Sequence, residues 1–553
     1  MKSQKNDYDV LIVGAGPAGV VSANLLGKYG VKTLLIDKEP DVINIPRAVG
    51  MCDEGSRILN SVGLTEELKD SFLDAKGVKF NNQNQETILT IDTSTEINGF
   101  PILKTFHQPD VERVLRKGLK RFKHVDFWTE TECLQVNDTE DSAKCRLRLG
   151  NGEIKTITCN YVIACDGARS SIRKMCDIGL SGYTYGQDWI VIDADVDPMK
   201  DERDWLQFSC DPNRPGVTIP VTNGARRWEY VVKNSETPDI VTSDEFVQKL
   251  LSPWGNIDDM KLTRKATYRF NSRIANKFRK GRIFLVGDAA HLTPPFAGQG
   301  MMAGLRDSYN LCWKISHVLD GNMDDKFLDT YQSERLPQAK LIVYMASLLG
   351  LIILPQNKVM AKVRDAAVHI SQNYLPKITK STSKLTTSSA PKMQKIPNNI
   401  KGYLGVTQWG AVTDKVRVGF EFPQYRVKND KSETLLFDDC VDDSFIILSW
   451  NDNPMDHLSS ETVSNFTSVG GKFCVIKPEG SPAQSKVNGV SKIITDTSGQ
   501  YQKLLTNGKN MVVIRPDKMV VINTQKEKLD KALKKYLQVS HCIEPSKVSL
   551  SYS

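Results

Sequence analysis

The chain has 553 residues, 40% hydrophobic and 25% charged, a composition typical of a globular protein too long for one core, so two or three domains are expected. Its net charge of +8, from 73 Lys and Arg against 65 Asp and Glu, is spread without a basic block or basic-aromatic interleaving, which argues against a nucleic-acid partner. Eleven cysteines carry no CxxC pair and no His/Cys spacing suited to zinc, so free thiols, a reducing cytoplasmic compartment and no metal site are expected.

The polar start, Met1 to Asp7, lacks the charged-then-apolar pattern of a secretory leader, and export is not expected. Asp9 to Val13, the turn Gly14-Ala15-Gly16-Pro17-Ala18-Gly19, a helix to Lys28 and a strand from Lys32 to Asp37 form a complete βαβ unit. Two later apolar runs, Tyr161 to Cys165 and Arg282 to Val286, each lead into a pairing of Asp and Gly and then a helical pattern. They predict buried strands whose ends converge on the site opened by the first turn. Between them, the strand-like segments Trp189 to Val196, Trp205 to Ser209, Gly216 to Val221 and Arg226 to Val232 predict an inserted antiparallel sheet. The predicted division is a discontinuous nucleotide-binding domain over 1–180 and 266–340, a substrate domain over 181–265 and connecting helices over 341–376. Within the last, Leu348 to Leu354 stops at Pro355, well short of the roughly 20 residues a bilayer requires. No membrane span is therefore expected.

A Ser, Thr, Lys and Pro composition over 377–397 predicts a linker before a C-terminal domain over 398–553. That domain shows strands at Ser444 to Trp450, Lys472 to Lys477 and Met511 to Ile522, the last interrupted by an Arg515-Pro516-Asp517-Lys518 turn. A helix with Leu529, Leu533 and Leu537 on one face closes it. This order suggests a thioredoxin-like fold; without a redox cysteine pair it reads as a docking module or the contact of a homodimer.

In the first turn, Gly14 permits the bend, Gly16 lets the backbone approach a pyrophosphate, and Gly19 lets the helix lie close to the strand. The phosphates would sit at a helix N-terminus, and Asp37 would accept hydrogen bonds from the adenosine ribose. This does not separate NAD from FAD. The segment Gly287-Asp288-Ala289-Ala290-His291, followed by Pro294-Pro295 and Gly298-Gln299-Gly300, does. Asp288 at a strand end suits a ribitol hydroxyl, and the glycine turn starts a helix whose N–H groups would face the N1–C2=O edge of an isoalloxazine.

Gly14, Gly16 and Gly19, Asp166-Gly167 with Arg169 and Arg173, and Gly287-Asp288 with the Gly-Gln-Gly turn together resemble the class A flavin monooxygenases of the p-hydroxybenzoate hydroxylase fold. Pro46-Arg47-Ala48, Asp53-Glu54, Phe208 to Pro212, Arg226 to Tyr230 and Arg306-Asp307 are most similar to the 3-(3-hydroxyphenyl)propionate hydroxylases within that group. The resemblance implies an α/β, Rossmann-like FAD domain with Gly14, Gly16, Ala18, Gly19, Asp37, Lys38, Arg47, Gln108, Gly287, Asp288, Pro295, Gly298, Gln299 and Gly300 at the cofactor. It implies that Asp166 links FAD to the nicotinamide and that His291 supports its loop. NADH or NADPH would dock transiently, and O2 would yield a C4a-hydroperoxide that hydroxylates a phenolic aromatic substrate, with a 3-hydroxyphenylpropionate-like acid as the candidate and a larger polyketide or antibiotic ligand as the alternative. Met301-Met302 stands where many relatives carry Asn, a change a backbone contact survives. No catalytic residue is assigned. Alternation puts Arg226, Trp228 and Tyr230 on one face of their strand, the face expected to look into the substrate pocket.

Overall fold

A computed structural model describes residues 6–196, 204–355, 357–374, 416–481, 489–506 and 510–539. The chain forms two compact units, one from Met1–Glu96, Phe100–Ser308 and Ala339–Ser383, the other from Ile97–Gly99, Tyr309–Gln338 and Lys384–Ser553.

The first unit holds two large sheets. In one, Val125–Trp128, Thr33–Ile36, Tyr8–Val13, Ile154–Ala164 and Ile283–Leu285 run parallel in that spatial order. Val10, Leu11 and Ile12 are fully buried, as expected of a parallel strand covered on both faces. Helix Pro17–Lys28 starts on a proline, where no N–H is needed, and is buried from Gly19 to Gly27. The run read as Tyr161 to Cys165 is the end of an eleven-residue strand whose exposed first half pairs antiparallel with Ala143–Arg148. The carboxyl ends of Tyr8–Val13, Ile154–Ala164 and Ile283–Leu285 lie in register, so their turns meet at one edge of the sheet.

The second sheet runs His291–Leu292, Lys261–Ala275, Leu180–Asp195, Ala225–Val231, Gly216–Pro220, Trp205–Ser209, Gly77–Asn81, Thr87–Asp92. The strands predicted between 189 and 232 are all present, but two come from 77–92, and Trp205–Ser209 pairs with Gly77–Asn81 in parallel. One face of this sheet, with Ile190, Ile192 and Trp228, packs on Val241, Val247 and Leu251. The other face carries Trp189, Arg227, Glu229, Phe208 and Phe270, by the cross-strand pairing of these residues or their neighbours. Helix Asp329–Ile353 takes in most of the apolar stretch at 348–354, and no helix among the described residues is long and apolar enough to cross a membrane.

In the second unit the sheet order is Thr434–Leu436, Arg426–Lys428, Lys492–Asp496, Lys472–Pro478, Ile446–Trp450, Met511–Ile514, Val520–Thr524. Ile446–Trp450 is parallel to Lys472–Pro478 and antiparallel to Met511–Ile514. The closing helix, Leu529–Val539, buries Leu529, Leu533 and Leu537. Arg515 to Lys518 form the turn that divides the last hairpin, with Lys518 at φ 62°. Residues 309–338 pack with this unit through a buried ionic cluster: Glu334 accepts from both terminal nitrogens of Arg515 (2.7 and 3.0 Å), from Lys314 Nζ (3.0 Å) and from Asn310 (2.7 Å). The predicted linker at 377–397 lies outside the described residues.

Candidate active site

Each glycine of the first turn answers a different constraint. Gly14 has φ +101°, and a Cβ there would sit 2.4 Å from the Cys165 carbonyl oxygen. At Gly19 a Cβ would fall 1.9 Å from the Gly14 carbonyl oxygen, so the helix rests directly on the turn. Gly16 has an ordinary extended backbone, and no protein atom lies within 4 Å of where its Cβ would be. Space in front of Gly16, at a helix N-terminus, is what an approaching phosphate needs. Asp37 ends the second strand and accepts from Ala15 N–H at 2.6 Å and Glu39 N–H at 2.9 Å, which ties the turn to the adjacent strand. Lys38 beside it is exposed, 3.8 Å from Glu39.

Gln108 is buried, and its Oε1 accepts from the backbone N–H groups of Arg47 (3.1 Å) and Ala48 (2.6 Å) while its Nε2 donates to Glu112 (2.6 Å). The amide thus fixes the loop that presents the exposed Arg47 side chain. Asp166 uses Oδ2 to accept from Ile172 N–H (3.1 Å) and Ser171 Oγ–H (3.2 Å); its buried Oδ1 has no partner among the described residues. Arg173 donates to the carbonyls of Ala289 (3.0 Å) and Ala168 (3.2 Å), lashing the second turn to the third.

Asp288 follows Gly287, whose φ is +61°. Gly287, Gly304 and Ala18 approach so closely that a Cβ on Gly304 would lie 3.1 Å from the Gly287 Cα, and this brings both helices onto the turn. Asp307 Oδ2 accepts from Gly287 N–H (3.0 Å) and sits 2.6 Å from Nε2 of the buried His291, so His291 and Asp307 brace the turn. The Asp288 side chain lies deep in the protein yet remains solvent-accessible, as a group lining an internal cleft does. Burial raises its pKa, with His291 and Arg47 partly opposing. Pro295 accepts from Gly298 N–H at 2.8 Å, Gly298 has φ +63°, and a Cβ on Gly298 or Gly300 would meet nothing within 4 Å. Gln299 is buried, and its Oε1 accepts from Arg306 (3.0 Å), which also donates to Glu54 (2.6 Å).

These features fit FAD: open space at Gly16, Gly167, Gly298 and Gly300, a bare carboxylate oxygen on Asp166, and the accessible carboxylate of Asp288 at the strand edge where the turns meet. Phosphates would lie at Gly16, ribose near Asp37, ribitol near Asp288 and the ring system at the Gly298–Gly300 backbone.

The residues expected to look into the substrate pocket lie on the face of their strand that packs against the helices between 238 and 251. Trp228 is fully buried and Tyr230 packs beside it in the cluster with Trp254, Val247 and Leu251. Arg226 lies over Trp254 at 4.7 Å and donates to Thr218 Oγ1 at 2.8 Å. That face of the strand is covered by the helices between 238 and 251. Alternation separates the two faces but does not say which one a distant helix covers. The opposite face turns to the cofactor loops: Arg227 donates to the carbonyls of Pro46 (2.6 Å) and Arg47 (3.1 Å) and grips Asp193 through two bonds (2.6 and 2.9 Å). Arg264 also donates to Pro46 (2.8 Å), and Tyr268 donates to Glu229 Oε2 at 3.1 Å. Beside this polar set, Phe296, which follows Pro295 in the cofactor turn, packs on Trp189 (5.9 Å), Phe270 (5.4 Å) and Tyr185 (5.7 Å). Phe80 and Phe208 stack at 4.9 Å in the same cluster. Sequence reasoning gave no role to Gly304, Asp307, Glu229, Tyr268 or Phe296; the quoted Arg306-Asp307 pair and the Arg226 to Tyr230 segment contained two of them, Asp307 and Glu229.

Burial pushes the Cys52 thiol up to about 12, an unreactive state.

A family model described as FAD binding domain matches residues 7–346, and one described as HcaD C-terminal domain matches residues 419–539. The chain is 31% identical over 544 residues to 3-(3-hydroxy-phenyl)propionate/3-hydroxycinnamic acid hydroxylases of Escherichia coli and of Shigella sonnei, covering 98% of this chain and 96% of each relative. Among solved structures it is similar to the flavin-dependent monooxygenase PieE in complex with FAD and substrate (TM-score 0.77, 19% identity, 98% of this chain and 100% of that one). It is also similar to aklavinone-11 hydroxylase with FAD and aklavinone (TM-score 0.73, 21% identity, 98% and 99%). The glycine turns, the converging strand ends and the full-length match to curated hydroxylases have one reading in common: the chain belongs to the FAD-dependent class A flavin monooxygenases.

Proposed function

We propose that the protein hydroxylates a small phenolic acid of the 3-(3-hydroxyphenyl)propionate kind, using FAD, NADH or NADPH, and O2. The observation that carries this reading is the aromatic wall of Phe296, Trp189, Phe270, Phe208 and Phe80, continuous with the cofactor turn at Pro295 and bordered by the Glu229–Tyr268 polar edge. A phenol ring needs such a dry, aromatic-lined surface with few polar groups to fix its orientation.

Bound FAD would supply the activated oxygen. The chain's own residues do the rest. The Gly16 and Gly298–Gly300 backbones leave room for the cofactor, the Asp307–His291 pair holds the third turn, and Gln108 fixes the loop carrying Arg47. The apolar cluster excludes water from the oxygen-transfer region. Asp166, with one oxygen unpartnered, is the group we assign to the passage between cofactor and nicotinamide. The second sheet serves as a substrate layer inserted into the nucleotide-binding domain. The order and direction of the strands at 446–450, 472–478, 511–514 and 520–524 support a thioredoxin-like reading of the C-terminal unit. All ten described cysteines are free thiols, in keeping with a cytoplasmic protein.

The test is substrate-dependent NADH and NADPH oxidation with matched product formation, across hydroxyphenylpropionates and polycyclic phenols. Coupled turnover with the small acids is expected. A preference for the polycyclic phenols would overturn the substrate class, and a preparation that stays colourless with added FAD would overturn the enzyme reading.

A further inference from the structure

Helix Asp329–Ile353 carries a glycine near its C-terminal end, in the part that belongs to the first unit, and glycine in a helix interior is unfavourable because it gives up backbone freedom. Gly350 makes no use of that freedom. Its carbonyl accepts the regular helical bond from Leu354 N–H at 2.9 Å, so the helix runs through it unbroken. What the position supplies is space: a Cβ on Gly350 would lie 2.8 Å from two carbons of the Phe296 ring and 3.5 Å from a third. Phe296 follows Pro295 in the cofactor turn, is buried, and meets the rings of Trp189, Phe270 and Tyr185 edge-on. The helix is fastened on both sides of the glycine, by Ser347 and Ile353, which recur with it every three residues and share its face. One turn earlier, Tyr183 of strand Leu180–Asp195 donates to Ser347 Oγ at 3.3 Å. One turn later, Ile353 is fully buried in the cluster that holds Phe296, Trp189 and Phe270.

Resting on the function proposed above, we propose that Gly350 is a positioning residue for substrate selection: it seats Phe296 against bare helix backbone, and so sets how deep the aromatic wall lies and how wide a phenol fits in front of it. The Phe296 ring occupies the place of the side chain the helix omits. With a methyl at 350, two ring carbons must retreat by at least about 0.6 Å to reach ordinary carbon contact. The helix cannot withdraw, because Ser347 and Ile353 hold it to the sheet. The displacement is therefore taken up on the side of Trp189 and Phe270, the rings assigned to the substrate wall. A close-packed interior transmits such a shift instead of absorbing it. Discrimination by an apolar wall is graded in methyl-sized steps, so a displacement of this size is felt first by ligands with a wider ring. Gly350 acts through Phe296 and touches neither substrate nor cofactor in this role.

The experiment uses FAD-loaded wild type, Gly350→Ala, Phe296→Leu and the double variant, with 3-(3-hydroxyphenyl)propionate and its ring-methylated homologues as probes. Binding is read from the change in visible absorbance of the bound flavin, without turnover. For each homologue, the ratio of its Kd to that of the parent acid reports the width of the pocket and does not move with a uniform loss of affinity. In Gly350→Ala that ratio should rise at least about fivefold for one or more homologues. In Phe296→Leu it should fall for the same homologues. In the double variant, where the methyl enters the space the phenyl ring leaves, it should return to within about twofold of the wild type. If Gly350→Ala alone fails to fold, the double variant must fold and show wild-type ratios. Ratios unchanged in Gly350→Ala, or shifted there and not restored in the double variant, overturn the role of Gly350 and leave the proposed function standing. An FAD-loaded wild type that binds neither the parent acid nor its homologues overturns the proposed function, and the role of Gly350 with it.

Discussion

The first turn offers a pair of substitutions that separate folding from cofactor binding. Alanine at Gly19 would place its methyl 1.9 Å from the Gly14 carbonyl oxygen, which is backbone and cannot swing aside. The helix must lift from the strand, and overpacking of that kind costs about 1–3 kcal/mol in the protein without any ligand. Alanine at Gly16 meets no protein atom within 4 Å and keeps φ −71°, so the apoprotein loses only roughly a few tenths of a kcal/mol at the helix cap. Its methyl instead occupies the space the pyrophosphate would enter, and FAD affinity should fall at least about tenfold, or roughly 1.4 kcal/mol. Thermal melting of FAD-stripped protein and a flavin-fluorescence titration check the two effects separately. If Gly16→Ala binds FAD as tightly as the wild type, the assignment of that open space to the cofactor is wrong; if Gly19→Ala melts with the wild type, the close contact of helix and turn does not carry the stability assigned to it.

Asp288→Asn should weaken FAD binding about tenfold while leaving the apoprotein at least as stable, because burial disfavours the charge being removed; equal FAD titrations for both proteins would refute this. His317 is held near 4 by burial beside Trp313 and Phe445, with Asp320 opposing, so the folded C-terminal unit resists protonation that the unfolded chain accepts below 6.5. Its stabilising effect is therefore complete above pH 6.5 and is lost as pH falls toward 4, up to about 3 kcal/mol, and His317→Leu should flatten urea-melt stability across that window. Arg515→Met leaves Glu334 and Asp517 buried without their main cation and should cost about 3–5 kcal/mol by denaturant melting; a change under about 1 kcal/mol would show that the cluster rearranges freely.

The βαβ unit was legible because its strands are continuous apolar runs and its turn obeys local steric rules that Gly14, Gly16 and Gly19 display individually. The same holds for the Gly287-Asp288 turn and for the last hairpin, which breaks where the Arg515 to Lys518 turn was read. What escaped was long-range. The pairing of Gly77–Asn81 with Trp205–Ser209 joins segments whose local patterns carry no mark of each other, so the second sheet was read without Gly77–Asn81 and Thr87–Asp92 at one end, and without Lys261–Ala275 and His291–Leu292 at the other. At Arg226 to Tyr230, alternation gave the two faces correctly, but the burial of one under Val241, Val247 and Leu251 depends on helices whose docking no spacing rule predicts. Glu229 and Tyr268 lie 39 residues apart, and only the strand register brings them together.

Chain order and packing order also part company at 309–338. A protein shortened at the Ser- and Thr-rich stretch would keep Lys314, Glu334 and Trp313 but lose Arg515, Asp517 and Phe445, their partners in the ionic and aromatic contacts. The freestanding N-terminal piece would then display a carboxylate-lysine pair and an indole built for a dry interior. Domain exchange among relatives is thereby constrained: a transplanted C-terminal segment must bring its own version of this helical stretch, or match the one it meets.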